Sequence, residues 1–485
     1  MKVLFIYTNI NGYHADAYAD GLAVMMSVTR KAGHDIRYVR ILEKNDYPLI
    51  DEAVKEFKPD VVGFTSVSSQ FSVVNTLADV VKKISPKTIN VCGGVHTTLS
   101  PQCVVESKSL DAVFVGEAEY SFLDFLEKIK NNQSWKDCDN LAYDDNGKMK
   151  KNKLRPLLSD EDLELLPHPD RTGDAYARTI LKMGYAPFHF TRGCPFTCTY
   201  CSNIGIAKVY GKTRYNIRQA SPEYAIREIE KTIKEFPEIG PIYKIFITDD
   251  IFGLNKKWRR EFLALYRERI KIPFICLLRC DVPTEDTMQD LANSYCARIQ
   301  FGVESGNDYI RNVVMDRDMP RETIVNAFKL ADKYGIETSA LNVIGAPGET
   351  KEMLMDTVKL NREINPTANS GANIFYPYIG TPLGDKSFDE GLVNLKKYND
   401  FTNERRESVM NYPEEWLKTL KYYKANWENI IYPFTYRKNG SNTFREFKQM
   451  IKGIPFIGPI IRNYYQKTKQ EITFRLHNIR KKNKL

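Results

Sequence analysis

The sequence predicts an α/β protein: a doubly wound, Rossmann-like domain, then an open or partial parallel barrel, then a mainly helical C-terminal region. Three observations predict it. Short β-branched runs alternate with helical patterns over residues 1–130, a second alternation of six such units runs over 186–383, and the apolar runs of the first domain stop at glycine or small polar residues.

In the first domain the strands fall at Val3–Tyr7, Asp35–Val39, Asp60–Phe64, Thr88–Cys92 and Ala112–Val115. Their C-terminal ends carry Thr8-Asn9, Thr65-Ser66, Gly93-Gly94 and Gly116-Glu117, which line the ligand-binding edge of a doubly wound sheet. Residues 131–185 read as a linker, with Asp144-Asp145-Asn146-Gly147 as a hairpin turn and Pro167, Pro169 and Arg171 in the crossing between domains. Strands of the second domain fall near 187–191, 242–247, 273–278, 297–303, 338–344 and 371–376, and a parallel barrel works at their C-terminal ends. Between the first two, Ser221-Pro222-Glu223 supplies an N-cap, an N1 proline and an acidic first turn ahead of Ile226, Ile229, Ile233 and Phe236. Residues 384–485 are rich in Tyr, Trp, Asn and Lys and read as helical.

Charge separates the parts. The 485 residues carry a formal net charge of +9, and residues 441–485, with eleven Lys or Arg against Glu446 and Glu471, hold all of it. A neutral body argues against a nucleic-acid groove. The tail, with Ile454–Ile461 beside Arg462, Tyr464 and Tyr465, reads first as a helix ending in a solvated basic stretch and second as a peripheral contact with an anionic membrane. No apolar run reaches the roughly 18 residues of a span, so a cytoplasmic protein is expected, and nine cysteines, an odd number, suit a reducing compartment.

Three of those cysteines carry the chemistry. Cys194, Cys198 and Cys201, in Thr191-Arg192-Gly193-Cys194-Pro195-Phe196-Thr197-Cys198-Thr199-Tyr200-Cys201, follow a C-x3-C-x2-C spacing after the first strand of the second domain. Three thiolates on one short loop hold three irons of a [4Fe–4S] cubane and leave the fourth open to a ligand. A zinc knuckle is the competing reading, but zinc wants a fourth Cys or His nearby, and the next histidine, His189, lies on the preceding strand. The motif resembles that of the radical S-adenosylmethionine (SAM) superfamily, in which the open iron chelates SAM and one-electron transfer releases a 5′-deoxyadenosyl radical. The resemblance implies that Tyr200 lies near the adenine, and that SAM is met by Asp249-Asp250 after the second strand and Arg279 ending the third. Glu304 and Ser305 end the fourth, and Asn342, Ile344 and Gly345 belong to the glycine motif of the fifth. No catalytic side chain is singled out.

With its leading α/β domain, the chain resembles the cobalamin-dependent radical SAM enzymes over about 1–383: a cobalamin-binding domain (1–130), a linker (131–185), a radical SAM domain (186–383) and a C-terminal region (384–485). The resemblance assigns cobalamin to the loops holding Thr8, Asn9, Tyr13, Thr65, Ser66, Ser68, Gly93, Gly94, His96, Gly116 and Glu117. An Asp-x-His-x-x-Gly motif, which supplies a lower histidine ligand to cobalt in many cobalamin proteins, does not occur, and His14 and His96 read as hydrogen-bonded loop residues. A methylthiotransferase layout fits less well, because Cys92, Cys103 and Cys138 are scattered. The implied activity is methyl transfer to an unactivated carbon of a small-molecule or lipid-like substrate. Methylcobalamin supplies the methyl group, a second SAM restores it, and an external flavodoxin- or ferredoxin-type donor supplies the electron. A cyclase or oxidase without net methylation is the nearest alternative, and a non-catalytic iron–sulfur or corrinoid sensor a second.

Overall fold

The structure, a computed structural model, describes residues 1–12, 18–171, 174–235 and 242–432. Tyr13, His14, Phe236 and the basic tail lie outside them.

The first sheet has seven strands: β1 (Lys2–Thr8), β2 (Asp35–Ile41), β3 (Val61–Thr65), β4 (Ile89–Gly93), β5 (Ala112–Phe114), β6 (Leu141–Asp145) and β7 (Lys148–Lys151). Their order is β2-β1-β3-β4-β5-β6-β7, the first five parallel and the last two antiparallel. Both faces of the parallel part are covered, as such sheets require. Leu4 and Ile6 pack under helices Pro48–Phe57 and Phe71–Ile84, and Val3 and Phe5 pack under Asp20–Lys31 and Glu119–Lys130. From β1 the chain turns first to one side and then to the other, so the ends of β1 and β3, at Thr8 and Thr65, flank the crevice where such sheets bind ligands.

The anticipated hairpin turn forms, with Asn146 and Gly147 at φ of 56° and 82°. It does not sit in a free linker, because β6 and β7 extend the first sheet beyond residue 130. The rest of the crossing holds helices Asp160–Leu165, capped by Ser159, and Asp174–Met183.

The second sheet is all parallel and strictly sequential: β8 (Ala186–Phe188), β11 (Ile245–Ile247), β12 (Phe274–Arg279), β13 (Cys296–Glu304), β14 (Glu337–Ile344) and β15 (Asn369–Ile374). It is the expected partial barrel. Helix Pro222–Glu235 starts as its cap residues dictate, with Ser221 Oγ accepting the Tyr224 N–H at 3.1 Å. One element was not legible: the cysteine segment begins in β9 (Thr191–Cys194), which leaves the barrel and pairs antiparallel with β10 (Tyr215–Gln219). Past the barrel, helix Glu414–Ile431 lays Leu420, Trp427 and Ile431 against Ile344, Ala372 and Ile374.

Candidate active site between the two domains

The cysteine loop is shaped by its neighbours. Asp249, fully buried, accepts the N–H groups of Phe190 (2.6 Å) and Thr191 (3.2 Å) on Oδ1 and so turns the chain from β8 into β9. Gly193, at φ 94°, lies so close to β10 that a Cβ would overlap the Asn216 carbonyl oxygen. The Thr199 N–H donates to the Met315 carbonyl at 3.1 Å, and Cys201 stands at the N-cap of helix Ser202–Val209. Burial pushes the Cys194 thiol up to about 11 and the Cys201 thiol up to about 12, so iron has to displace their protons. The three thiols, on one loop of eight residues, fit a multi-iron cluster, which takes one thiolate per iron. Arg279 adds a donor to this set, with Nη1 at 3.2 Å from Cys198 Sγ and its carbon 3.8 Å over the Phe196 ring.

Around the third cysteine the barrel ends bring Tyr200, Glu304, Arg279 and a residue the sequence did not single out, Arg317. Arg317 Nη1 donates to Tyr200 Oη at 2.8 Å and to Glu304 Oε1 at 3.4 Å, while Nη2 donates to the Gly302 carbonyl at 2.7 Å. Glu304 takes a left-handed backbone, φ 64°, and burial raises its carboxyl despite Arg317. A carboxyl, a guanidinium and a phenol beside the cluster loop suit the charged amino-acid head of SAM. Arg279 itself has little donor capacity left: Nε and Nη2 reach Asp281 at 2.9 and 2.8 Å, and Nη2 also reaches the Arg317 carbonyl at 2.9 Å. Its geometry is that of a cluster neighbour rather than a carboxylate clamp. The only sequence trace of Arg317 is the charged run Asp316-Arg317-Asp318 just past the fourth strand.

Other expected SAM residues serve the frame around this site. Asp250 Oδ2 accepts from Asn203 Nδ2 at 2.8 Å, on the helix that follows Cys201. Ser305 is fully buried, with its Oγ accepting from the Asn307 N–H at 3.2 Å. Asn342 belongs to a buried network with Asn361, Ser370 and the Gly371 carbonyl. Ile344 packs under helix Glu414–Ile431, and Gly345, at φ 77°, gives its N–H to the Glu349 carboxyl, which burial pushes up to about 8.

On the other side, a cavity of about 510 Å³ opens between the domains. Phe5, Val91, Phe114 and Phe122 form its apolar floor, Thr65, Gly93, Gly94 and Gly116 form the sheet edge, and Tyr210, Tyr215 and Tyr224 of the second domain form its roof. Asp20, His189 and Glu228 make one end polar, and Asp20 Oδ1 is buried without a hydrogen-bond partner. A Cβ on Gly93 would meet nothing closer than 4.0 Å, so the rim is open backbone there, whereas Gly94 is backed by the Ser66 backbone and Gly116 by the Tyr210 hydroxyl. A slot apolar on its floor, with polar ends and shared between domains, suits the flat heterocyclic tail of a corrinoid. Thr8 Oγ1 is buried and unpartnered at the end of β1, while Ser66 Oγ donates to the Val67 carbonyl at 2.8 Å. His96 is not a wall of the cavity. Its Nδ1 lies 3.2 Å from Ser68 Oγ, its ring lies tilted against Phe71 with centroids 4.4 Å apart, and burial lowers it to about 4, so it stays neutral.

Glu117 is already occupied. Arg218 grips it with two N–H groups at 2.9 and 2.8 Å, and the Leu158 N–H donates at 2.9 Å. Burial alone raises this carboxyl, yet Arg218 and Arg192 hold it below the usual range.

Residues 188–360 match the family model of the radical SAM superfamily, and residues 9–126 match the B12 binding domain. An uncharacterised methyltransferase of Pyrococcus horikoshii is 28% identical over 387 residues, covering 78% of this chain and 81% of that protein. The anaerobic magnesium-protoporphyrin IX monomethyl ester cyclase of Rubrivivax gelatinosus is 24% identical over 458 residues, covering 90% of this chain and 79% of that protein. Among solved structures, the radical SAM methyltransferase TsrM of Kitasatospora setae superposes with a TM-score of 0.65 at 16% identity, covering 80% of this chain and 76% of that one. A B12 binding domain docked on a radical SAM barrel, with a cavity shared between them beside the stretch that leads into the cysteine loop, places the chain among the cobalamin-dependent radical SAM enzymes, whose cofactors are a [4Fe–4S] cluster, SAM and cobalamin.

Proposed function

We propose that this enzyme is a methyltransferase acting on an unactivated carbon of a small-molecule or lipid-like substrate. The observation that carries the reading is the shared cavity, whose walls come from the cobalamin-side glycine loops and from Phe190–Arg192, the stretch that leads into the cysteine loop. When bound, SAM on the cluster supplies a hydrogen-abstracting radical and cobalamin supplies a transferable methyl group. The chain's own share is placement. Cys194, Cys198 and Cys201 hold the cluster, and Tyr200, Glu304 and Arg317 orient the amino-acid end of SAM. Thr65 and Gly93 give the corrinoid a close backbone edge. Relatives whose names describe methyltransferases, in Pyrococcus horikoshii and Streptomyces wedmorensis, support the same reading.

The Rubrivivax gelatinosus relative, a cyclase, favours a second reading without net methylation. Anaerobic reconstitution with reductant, methylcobalamin and methyl-labelled SAM, offered a metabolite extract, separates the two. Methyl transfer yields 5′-deoxyadenosine together with a labelled product. Deoxyadenosine with an unlabelled, newly oxidised or cyclised product overturns it in favour of the cyclase reading.

A further inference from the structure

Glu117 stands at the end of β5 among the cobalamin-side loops, yet its side-chain bonds run to the crossing segment and to the second domain. Besides Arg218 and the Leu158 N–H, its carboxylate meets Tyr215 Oη at 3.3 Å and Arg192 Nη1 at 3.4 Å. Two residues on, Glu119 takes Arg192 Nη2 at 2.6 Å. Arg192 lies in β9 two residues before Cys194, and Tyr215 and Arg218 lie in β10, the strand that pairs with it. The backbone of the same turn reaches the far end of the helix that follows the cysteine loop. The Glu117 N–H donates to Tyr210 Oη at 2.9 Å, and Tyr210 closes the helix that Cys201 opens. Gly116, at φ 79°, sits where a Cβ would overlap that hydroxyl. The turn's own position is fixed within the first domain, where the Gly116 N–H donates to Thr98 Oγ1 at 3.0 Å and Asn140 Nδ2 bonds the Glu117 carbonyl at 3.2 Å.

One turn of the cobalamin-binding domain therefore holds the strand that enters the cluster loop and the end of the helix that leaves it. Its charges are largely buried, with Glu117, Arg218 and Glu119 side chains 11%, 12% and 7% exposed. Ion pairs withdrawn from water to this degree are geometrically demanding and costly to break on one side. We propose that the Gly116–Glu119 turn is the spacer that fixes the separation of the corrinoid and the iron–sulfur cluster, and that Glu117 is a positioning residue within it. The proposal rests on both cofactors being bound and is indifferent to whether the reaction is methylation or cyclisation.

The experiment needs no substrate. The full-length protein is reconstituted with the cluster and with cobalamin, reduced to the paramagnetic cluster and cob(II)alamin, and the dipolar coupling between the two spins is measured. Each spin's own signal reports its occupancy. Wild type gives one narrow distance distribution. Glu117→Gln, which keeps the shape and removes the charge, broadens or shifts that distribution while both occupancies hold. An unchanged distribution overturns the proposal, and so does loss of cobalamin with the cluster retained, because Glu117 would then act as a cobalamin contact. If Glu117→Gln does not yield folded protein, Tyr210→Phe, which removes only the hydroxyl at the end of that helix, is read in the same way.

Discussion

Cys198 occupies a different environment from its two companions because a guanidinium already points at its sulfur. Hydrogen bonds to cluster sulfurs move the reduction potential. Arg279→Gln is therefore expected to retain iron but lower the cluster's midpoint potential in an EPR-monitored redox titration, whereas Cys198→Ala loses the visible cluster absorbance and most of the iron. A second residue-level expectation concerns pH. Burial lifts the Glu349 carboxyl from 4.5 to about 8. An acid whose folded value lies above its unfolded one contributes stability that is complete below about 4.5 and is lost as pH rises through about 8. Glu349→Gln keeps an acceptor for the Gly345 N–H and should flatten the fall in melting temperature between about pH 5 and 8. An unaltered slope would mean that the carboxyl titrates as it does in water.

At the level of elements, the cysteine hairpin is the sensitive part. A side chain at Gly193 must both occupy φ 94° and displace the Asn216 carbonyl. Gly193→Ala is expected to cost about 1–3 kcal/mol in urea unfolding and to lower iron incorporation sharply. A barrel strand such as Phe274–Arg279 was legible because it is a run of mostly buried apolar residues between turn signals, and the Ser221 cap was legible because its chemistry is local. The β9–β10 pairing was not, since Thr191-Arg192-Gly193-Cys194 and Tyr215–Gln219 are short and polar and meet only through the surrounding structure. The ion pairs of Glu117 were not legible for a related reason. Its place at a strand end spoke for a ligand, whereas its partners lie 101 positions away at Arg218 and 41 away at Leu158, a separation no local pattern reports.

Across the whole molecule, the cavity couples the domains thermodynamically. Its walls come from both, so a corrinoid that binds only the docked arrangement stabilises both, by about 2.7 kcal/mol at a hundredfold excess over its Kd. Hydrogen exchange should slow on cobalamin addition at 206–224 of the radical SAM domain as well as at 93–118, and protection confined to 93–118 would place the ligand on the first domain alone. The composition hinted at this division, since the formal positive charge collects beyond the two cofactor domains, but it carried no sign of how they dock. The final helix has a consequence of another kind. β15 is the last strand of the barrel sheet, and its outer backbone is occupied by the C-terminal region: Lys424 Nζ bonds the Ala372 carbonyl at 2.6 Å, and the Ile374 N–H donates to the Arg405 carbonyl at 3.0 Å. A chain cut before residue 395 would bare an unpaired strand flanked by Ile344 and Ile374, and bare edges recruit other strands. Such a truncation is expected to fail through self-association during expression, before catalysis can be assayed, which makes the C-terminal region a guardian of solubility.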